Sequence, residues 1–110
     1  MSAQSPDLLL AAKACSIRVI CWDSSRSAYR VEGAQSSRWN PRNDDGDAMR
    51  LAAALKMSID QGSDTVFAQH RTQGGFWINS PVISLKGRDR ADAYREAICL
   101  CAIKVGERMP

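Results

Sequence analysis

Apolar residues recur at helical spacing in three stretches of the chain, each preceded by residues that favour a helix start. In the first stretch, Ser5 can cap the helix, Pro6 fits its first position and Asp7 complements the helix dipole. The last stretch has the clearest period, and Gly106 is a natural stop for it. The predicted helices run from Pro6 to about Cys15, from Asp44 or Asp45 to about Met57, and from Asp89 or Asp92 to Gly106.

Between these helices, shorter apolar runs bounded by turn residues predict β-strands. The run Ser16–Asp23 has apolar residues on both of its faces, which is typical of a strand in a sheet covered on both sides. Pro81 cannot donate to a central ladder, so the strand after it is predicted at an edge or as irregular. Residues 33–43 have no period and predict a loop. The other predicted strands are Ala28–Glu32, Met57–Asp60, Thr65–His70 and Phe76–Asn79, with Val82–Leu85 after the proline.

The element order α-β-β-α-β-β-α predicts an α+β fold, in which one antiparallel sheet of four to five strands carries helices on both faces. A chain of 110 residues, 45% hydrophobic and 25% charged, is typical of a single globular domain. We expect that domain to span residues 1–110, with disordered ends at residues 1–5 and 107–110. No apolar run approaches the roughly 18–20 residues that cross a bilayer, and the N-terminus lacks the features of a signal peptide. We therefore expect a cytoplasmic protein.

The sequence shows no catalytic, cofactor-binding or metal-binding constellation. Asp44, Asp45 and Asp47 do not have the spacing of a calcium-binding loop and are better interpreted as the start of a helix, with a weak Mg²⁺ site as the alternative. His70 has neither an orienting partner nor a nucleophile at a recognisable spacing. All four cysteines lie in apolar runs without paired C-x-x-C motifs, so we expect buried free thiols. The protein is accordingly predicted not to be an enzyme and to hold no cofactor.

A run in the middle of the chain resembles a known group of proteins. Residues Trp39-Asn40-Pro41-Arg42-Asn43-Asp44-Asp45-Gly46-Asp47-Ala48-Met49-Arg50-Leu51-Ala52 are similar to a stretch in small bacteriophage and prophage proteins of the ABA-sandwich group. The later helix containing Asp92-Ala93-Tyr94-Arg95-Glu96-Ala97-Ile98 adds to the resemblance. It implies a sheet flanked by helices and an origin in a phage or prophage, hence a bacterial host cytoplasm. It brings no activity and no catalytic residue.

Arginine and aromatic residues come together between residues 26 and 42. Residues 1–43 hold six Lys and Arg against three Asp and Glu, and the whole chain has eleven Arg and four Lys. Arginine beside aromatic side chains is typical of protein-binding hot spots and of single-stranded nucleic acid binding. The alternative is structural: Trp22 lies in the core, Trp39 packs the loop against the second helix, and the arginines are solvated. The candidate partner-binding residues are Arg26, Tyr29, Arg30, Arg38, Trp39 and Arg42.

Two functions of different classes fit this surface. The first is a non-enzymatic phage or prophage accessory protein that binds a host or phage protein, for example to inhibit a host defence. The second is a nucleic-acid-binding accessory factor that uses the face of residues 26–42. A net charge of +3 is modest for a dedicated nucleic-acid binder, so the sequence favours the protein partner.

Overall fold

The computed structural model describes residues 7–23, 28–32 and 38–109, with the backbone alone for Ile20 and Arg38. Its helices and strands alternate as an α+β fold, which confirms the predicted class and element order. The elements are α1 (Leu8–Ala14), β1 (Val19–Asp23), β2 (Ala28–Val31), β3 (Arg38–Trp39), α2 (Asp45–Ala54), β4 (Ser58–Gln61), β5 (Thr65–Arg71), β6 (Trp77–Asn79), β7 (Ile83–Ser84) and α3 (Arg90–Glu107).

The strands form two antiparallel sheets, whereas the sequence predicts one. The three-stranded sheet has the order β1-β2-β3, and β3 lies in the segment predicted as a loop. In the four-stranded sheet, β4 pairs with one side of β5, while β6 and β7 pair with the other. Every strand except β7 pairs with a strand next to it in the chain, and β7 pairs with β5. The strand after Pro81 is a two-residue edge strand, as the proline predicts.

Helix α3 packs against one face of the four-stranded sheet. Val66 and Ala68 of β5 and Ile83 of β7 are buried against this helix, in one cluster with Ala93, Ala97 and Cys101. A second cluster joins α3 to α1, α2 and the three-stranded sheet, and it contains Leu8, Tyr29, Trp39, Leu51 and Ile98. The longest helix therefore connects the two sheets through a shared core.

Small residues let α1 approach α3 closely. The sequence predicts that Gly106 ends α3. In the structure Gly106 lies within the last turn of this helix. A Cβ atom at this position would overlap the carbonyl oxygen of Leu10 and lie 2.6 Å from the carbonyl carbon. Glycine is required here by the approach of the two backbones. Beyond it, the amide of Met109 donates to Gly106 and the Met109 carbonyl accepts from Lys13 Nζ.

Among the described residues, each sheet has one face packed against helices and one face that carries exposed side chains. Cys21 and Arg30 are exposed on the open face of the three-stranded sheet. The open face of the four-stranded sheet carries the side chains that alternate with the buried ones. These are Ser58, Asp60, Thr65, Phe67, Gln69, Arg71, Trp77, Asn79 and Ser84.

Of the ends predicted to be disordered, residues 1–5 and Pro110 lie outside the described residues. Residues 107–109 continue α3 and the turn that follows it. Among the described helices, none has both the length and the hydrophobicity that crossing a bilayer requires.

Candidate functional site: an aromatic hairpin beside an open sheet face

The two aromatic residues of the predicted binding surface are buried. Tyr29 is 3% exposed and Trp39 is 4% exposed, and the two are direct neighbours across β2 and β3. The ring of Trp22 meets Tyr29 edge to face, with ring centroids 4.9 Å apart. Trp39 shares its cluster with Leu51 of α2, as the structural alternative predicts. Neither ring is placed to stack on a base or to enter a partner's pocket.

The two arginines of that predicted surface whose side chains are described, Arg30 and Arg42, do not share a face with the buried rings. Arg30 is exposed on the open face of the three-stranded sheet, where its backbone pairs with that of Arg38. Arg42 is half-buried, and its Nη2 donates to Asp7 Oδ2 at 2.6 Å. The Arg42 carbonyl also accepts from Arg95 Nε at 2.9 Å. Arg42 is therefore a structural link between elements, and Arg26 lies outside the described residues.

The acidic cluster starts a helix, as predicted. Asp44 is the N-cap of α2, and its Oδ1 accepts from the backbone amide of Asp47 at 2.8 Å. Asp47 is buried and its two carboxylate oxygens accept from the Asn40 amide and from Arg50 Nη2, at 2.9 and 3.0 Å. Asp45 forms an ion pair with Arg95. These carboxylates are used in capping and in ion pairs, and in the described segments no three potential metal ligands come together.

His70 likewise has a structural contact. Its Nδ1 lies 2.7 Å from the carbonyl oxygen of Leu55, which can only accept, so Nδ1 carries the proton. This hydrogen bond holds the end of α2 against β5. The role of His70 shown by this contact is structural. No nucleophile among the described residues hydrogen-bonds to its ring.

The cysteines differ in their surroundings. Cys99 and Cys101 are buried, and burial raises the pKa of Cys99 to about 12 and that of Cys101 to about 11. Cys15 is half-buried and burial also raises its pKa. Cys21, however, is exposed, which corrects the prediction that all four are buried. Its strand has an open face, and the sequence predicts a covered one.

The largest exposed apolar side chains occur at the hairpin between β5 and β6. Phe76 is 73% exposed and Trp77 is 51% exposed, although the chain buries Tyr29 and Trp39 almost completely. We call residues 71–77 the aromatic hairpin. It lies at one end of the open face of the four-stranded sheet, where Trp77 is the direct neighbour of Arg71. Adjacent exposed aromatic residues of this kind mark interaction surfaces on soluble proteins.

Hydrogen bonds within the turn fix the position of Phe76. The amide of Thr72 donates to the Phe76 carbonyl at 2.7 Å, and the amide of Phe76 donates to Thr72 Oγ1 at 3.1 Å. Gly75 has a φ of +88°, a conformation that glycine adopts without strain. A Cβ at Gly74 would be 3.4 Å from the Phe76 ring, so the ring lies close over the turn. The exposed ring is therefore presented by a closed turn, which reduces the entropy lost on binding.

A cation lies against the second aromatic ring. The guanidinium carbon of Arg71 is 5.9 Å from the centroid of the Trp77 ring, within the range of a cation–π contact. Arg71 takes part in no ion pair among the described residues. Arginine and tryptophan are the side chains most enriched at protein-binding hot spots. The pair is thus available to a partner.

The sequence predicts the Gly74-Gly75 turn and the strand after it but not their role as a candidate binding surface, although a signal for that role was present. Phe76, Trp77 and Ile78 follow the Gly74-Gly75 turn directly, and consecutive side chains of a strand point to opposite faces. Three consecutive large apolar residues therefore cannot all be buried in a sheet with a single covered face. Ile78 takes the buried position and Trp77 the open one, whereas Phe76 lies before β6, in the turn, and is exposed there.

Comparisons of the chain with known protein families, curated proteins and solved structures find no match. The resemblance of residues 39–52 to phage proteins and the cytoplasmic location therefore stay predictions. What the aromatic hairpin can do follows from its own geometry.

Proposed function

We propose that the protein is a non-enzymatic accessory protein that binds a partner protein through the aromatic hairpin. The observation that carries this proposal is the exposure of Phe76 and Trp77 on a closed turn beside an open sheet face. Apolar area of this kind gains free energy when a partner removes it from water. Burial of Trp39 and Tyr29 correspondingly argues against the surface of residues 26–42 as the main interface, for a protein or a nucleic acid.

The phage or prophage setting suggested by the resemblance belongs to the same proposal. In that setting the partner is a host or phage protein, and inhibition of a host defence is one form that the binding takes. A small domain with exposed aromatic residues, and with no assembled catalytic group in the part of the chain that the structure describes, suits such a role.

The test is capture of partners from a lysate of the bacterium that carries the gene. Wild type is compared with Phe76→Ser/Trp77→Ser and with Met49→Ser, a control on α2 that removes a side chain 64% exposed and away from the hairpin. Loss of hot-spot residues weakens binding by about 30-fold or more. We expect a discrete captured protein that the hairpin variant loses and the Met49 variant retains. Equal capture by all three proteins would contradict the proposal.

A further inference from the structure

We infer that the aromatic hairpin recognises an acidic protein segment, whose carboxylates meet Arg71 and Lys56 while its apolar side chains cover Phe76 and Trp77. The inference rests on the proposed function and adds the chemistry of the partner. It is carried by the distribution of charge around the hairpin.

Basic side chains without acidic partners surround this end of the four-stranded sheet. The hydrogen bond between His70 and the Leu55 carbonyl places Lys56, the next residue, at the same end of the sheet as Arg71. Lys56 is exposed, and Lys104 donates through Nζ to the Asn79 carbonyl at the edge of β6. None of these three cations forms an ion pair among the described residues.

The acidic residue of this open face lies far along the sheet. Asp60 pairs with Phe67, which is four residues before Arg71 on β5. At about 3.3 Å per residue, that separation is roughly 13 Å along the strand. Exposed charges so far apart are largely screened at physiological salt, where the Debye length is about 8 Å. The hairpin end therefore presents positive charge that Asp60 does not neutralise.

Arg71 lacks the carboxylate partner that several other arginines of the chain have. In the described segments, five arginines pair with carboxylates, namely Arg18, Arg42, Arg50, Arg88 and Arg95. Arg71 instead lies against the exposed ring of Trp77. A carboxylate from a partner would meet a guanidinium already held by the ring, so less side-chain entropy is lost on binding.

The number of cations at this end of the sheet favours a protein partner over a nucleic acid. Dedicated nucleic-acid binders neutralise several phosphates, about 6–10 in strong cases. Among the described residues, this end of the sheet supplies three cations, Lys56, Arg71 and Lys104. Arg71 also occupies one face of the Trp77 ring, which a stacked base would use. The exposed Phe76 ring adds apolar area that suits the aliphatic side chains of a protein segment.

The experiment selects binders from a display library of random short peptides, with the purified full chain as bait. Synthetic versions of the enriched peptides are then titrated against wild type, Trp77→Ala, Arg71→Glu and Lys56→Glu. Arg18→Glu is the matched control, because Arg18 is an exposed arginine of the other sheet region that pairs with Glu32. Circular dichroism checks that each variant is folded, and oligo(dT) is titrated in parallel.

We expect peptides that combine Asp or Glu with apolar residues and that bind less tightly as salt is raised. Charge reversal at Arg71 or Lys56 should weaken them about tenfold or more, and Arg18→Glu should leave them unchanged. Peptides that need Trp77 but are neutral or basic would overturn the inference and leave the proposed function standing. The absence of any Trp77-dependent peptide would contradict both. Oligo(dT) binding that Trp77→Ala abolishes would replace the protein segment with a nucleic acid.

Discussion

Replacement of Gly106 by alanine tests how helix α1 lies against α3. The added Cβ would overlap the Leu10 carbonyl oxygen and lie 2.6 Å from its carbonyl carbon and 3.0 Å from its Cα. Carbon atoms pack at about 3.5–4.0 Å, so the two backbones must separate by roughly 1 Å. Neither side of the contact is a flexible side chain. The strain is therefore relieved only by moving α1 away from α3.

The expected destabilisation follows from three contributions. Overpacking of a tight interior contact costs about 1–3 kcal/mol, and a clash between two backbones belongs at the upper end. A gap of about 1 Å also forfeits part of the dispersion contacts of Leu8, Ala11 and Ala12, which are buried on α1. Alanine regains about 0.8–1.0 kcal/mol of helix propensity. We expect Gly106→Ala to lower the free energy of unfolding by about 2–3 kcal/mol.

Urea unfolding followed by circular dichroism measures this change. With an m value of about 1–2 kcal/mol/M for a protein of this size, the midpoint should fall by about 1–3 M. Gly62→Ala is the control, because its Cβ would make only ordinary contacts, with Thr65 Oγ1 at 3.5 Å and the Thr65 carbonyl oxygen at 4.0 Å. That control should stay within about 1 kcal/mol of wild type. A Gly106→Ala protein as stable as wild type would refute the close approach of the two helices.

Three further outcomes are expected. Asp44→Ala removes the acceptor of the Asp47 amide and should lower the free energy of unfolding, measured in urea, by about 0.5–2 kcal/mol. Asp44→Asn keeps an acceptor and should retain most of the wild-type stability. Equal urea midpoints for Asp44→Ala and wild type would argue against the cap. In the native protein, a thiol reagent should modify exposed Cys21 rapidly and buried Cys99 and Cys101 only after unfolding, as mass spectrometry of the labelled protein would show. Because burial raises the pKa of Cys99 from 9.0 to about 12, the unfolded thiol ionises first, and stability should fall as pH rises above 9 by up to about 1.4 kcal/mol per pH unit. Urea midpoints between about pH 8 and pH 11 should therefore fall less in Cys99→Ala than in wild type, and parallel slopes would count against a buried neutral thiol.

The helices could be predicted from the sequence because their signals are local. Asp44 caps α2 through an amide three residues away, a contact that the order of residues already implies. Gly106 was interpreted by the same local rule, as a helix stop, and that interpretation is wrong. Its role depends on Leu10, which is distant in the chain, and no periodicity near Gly106 encodes this contact.

The division into two sheets could not be predicted for a similar reason. Alternation along a strand shows which side chains share a face, but it does not show which edges pair or which face a helix covers. The apolar residues around Cys21 predict a strand covered on both faces, yet Cys21 is exposed. Hairpins could be predicted from their turns, and their arrangement depends on how α3 packs between them.

The candidate binding surface in the structure differs from the predicted one for the same physical reason. Tyr29 and Trp39 lie on the face of their sheet that the helices cover, so burial removes them from any partner. Trp77 lies on the open face of its sheet and Phe76 in the turn before it, so their aromatic area stays in water. Residues 26–42 and the aromatic hairpin both combine arginine with aromatic residues, so composition alone cannot show which of the two segments is exposed. Only the covered face of each sheet decides which aromatic residues stabilise the fold and which remain available for binding.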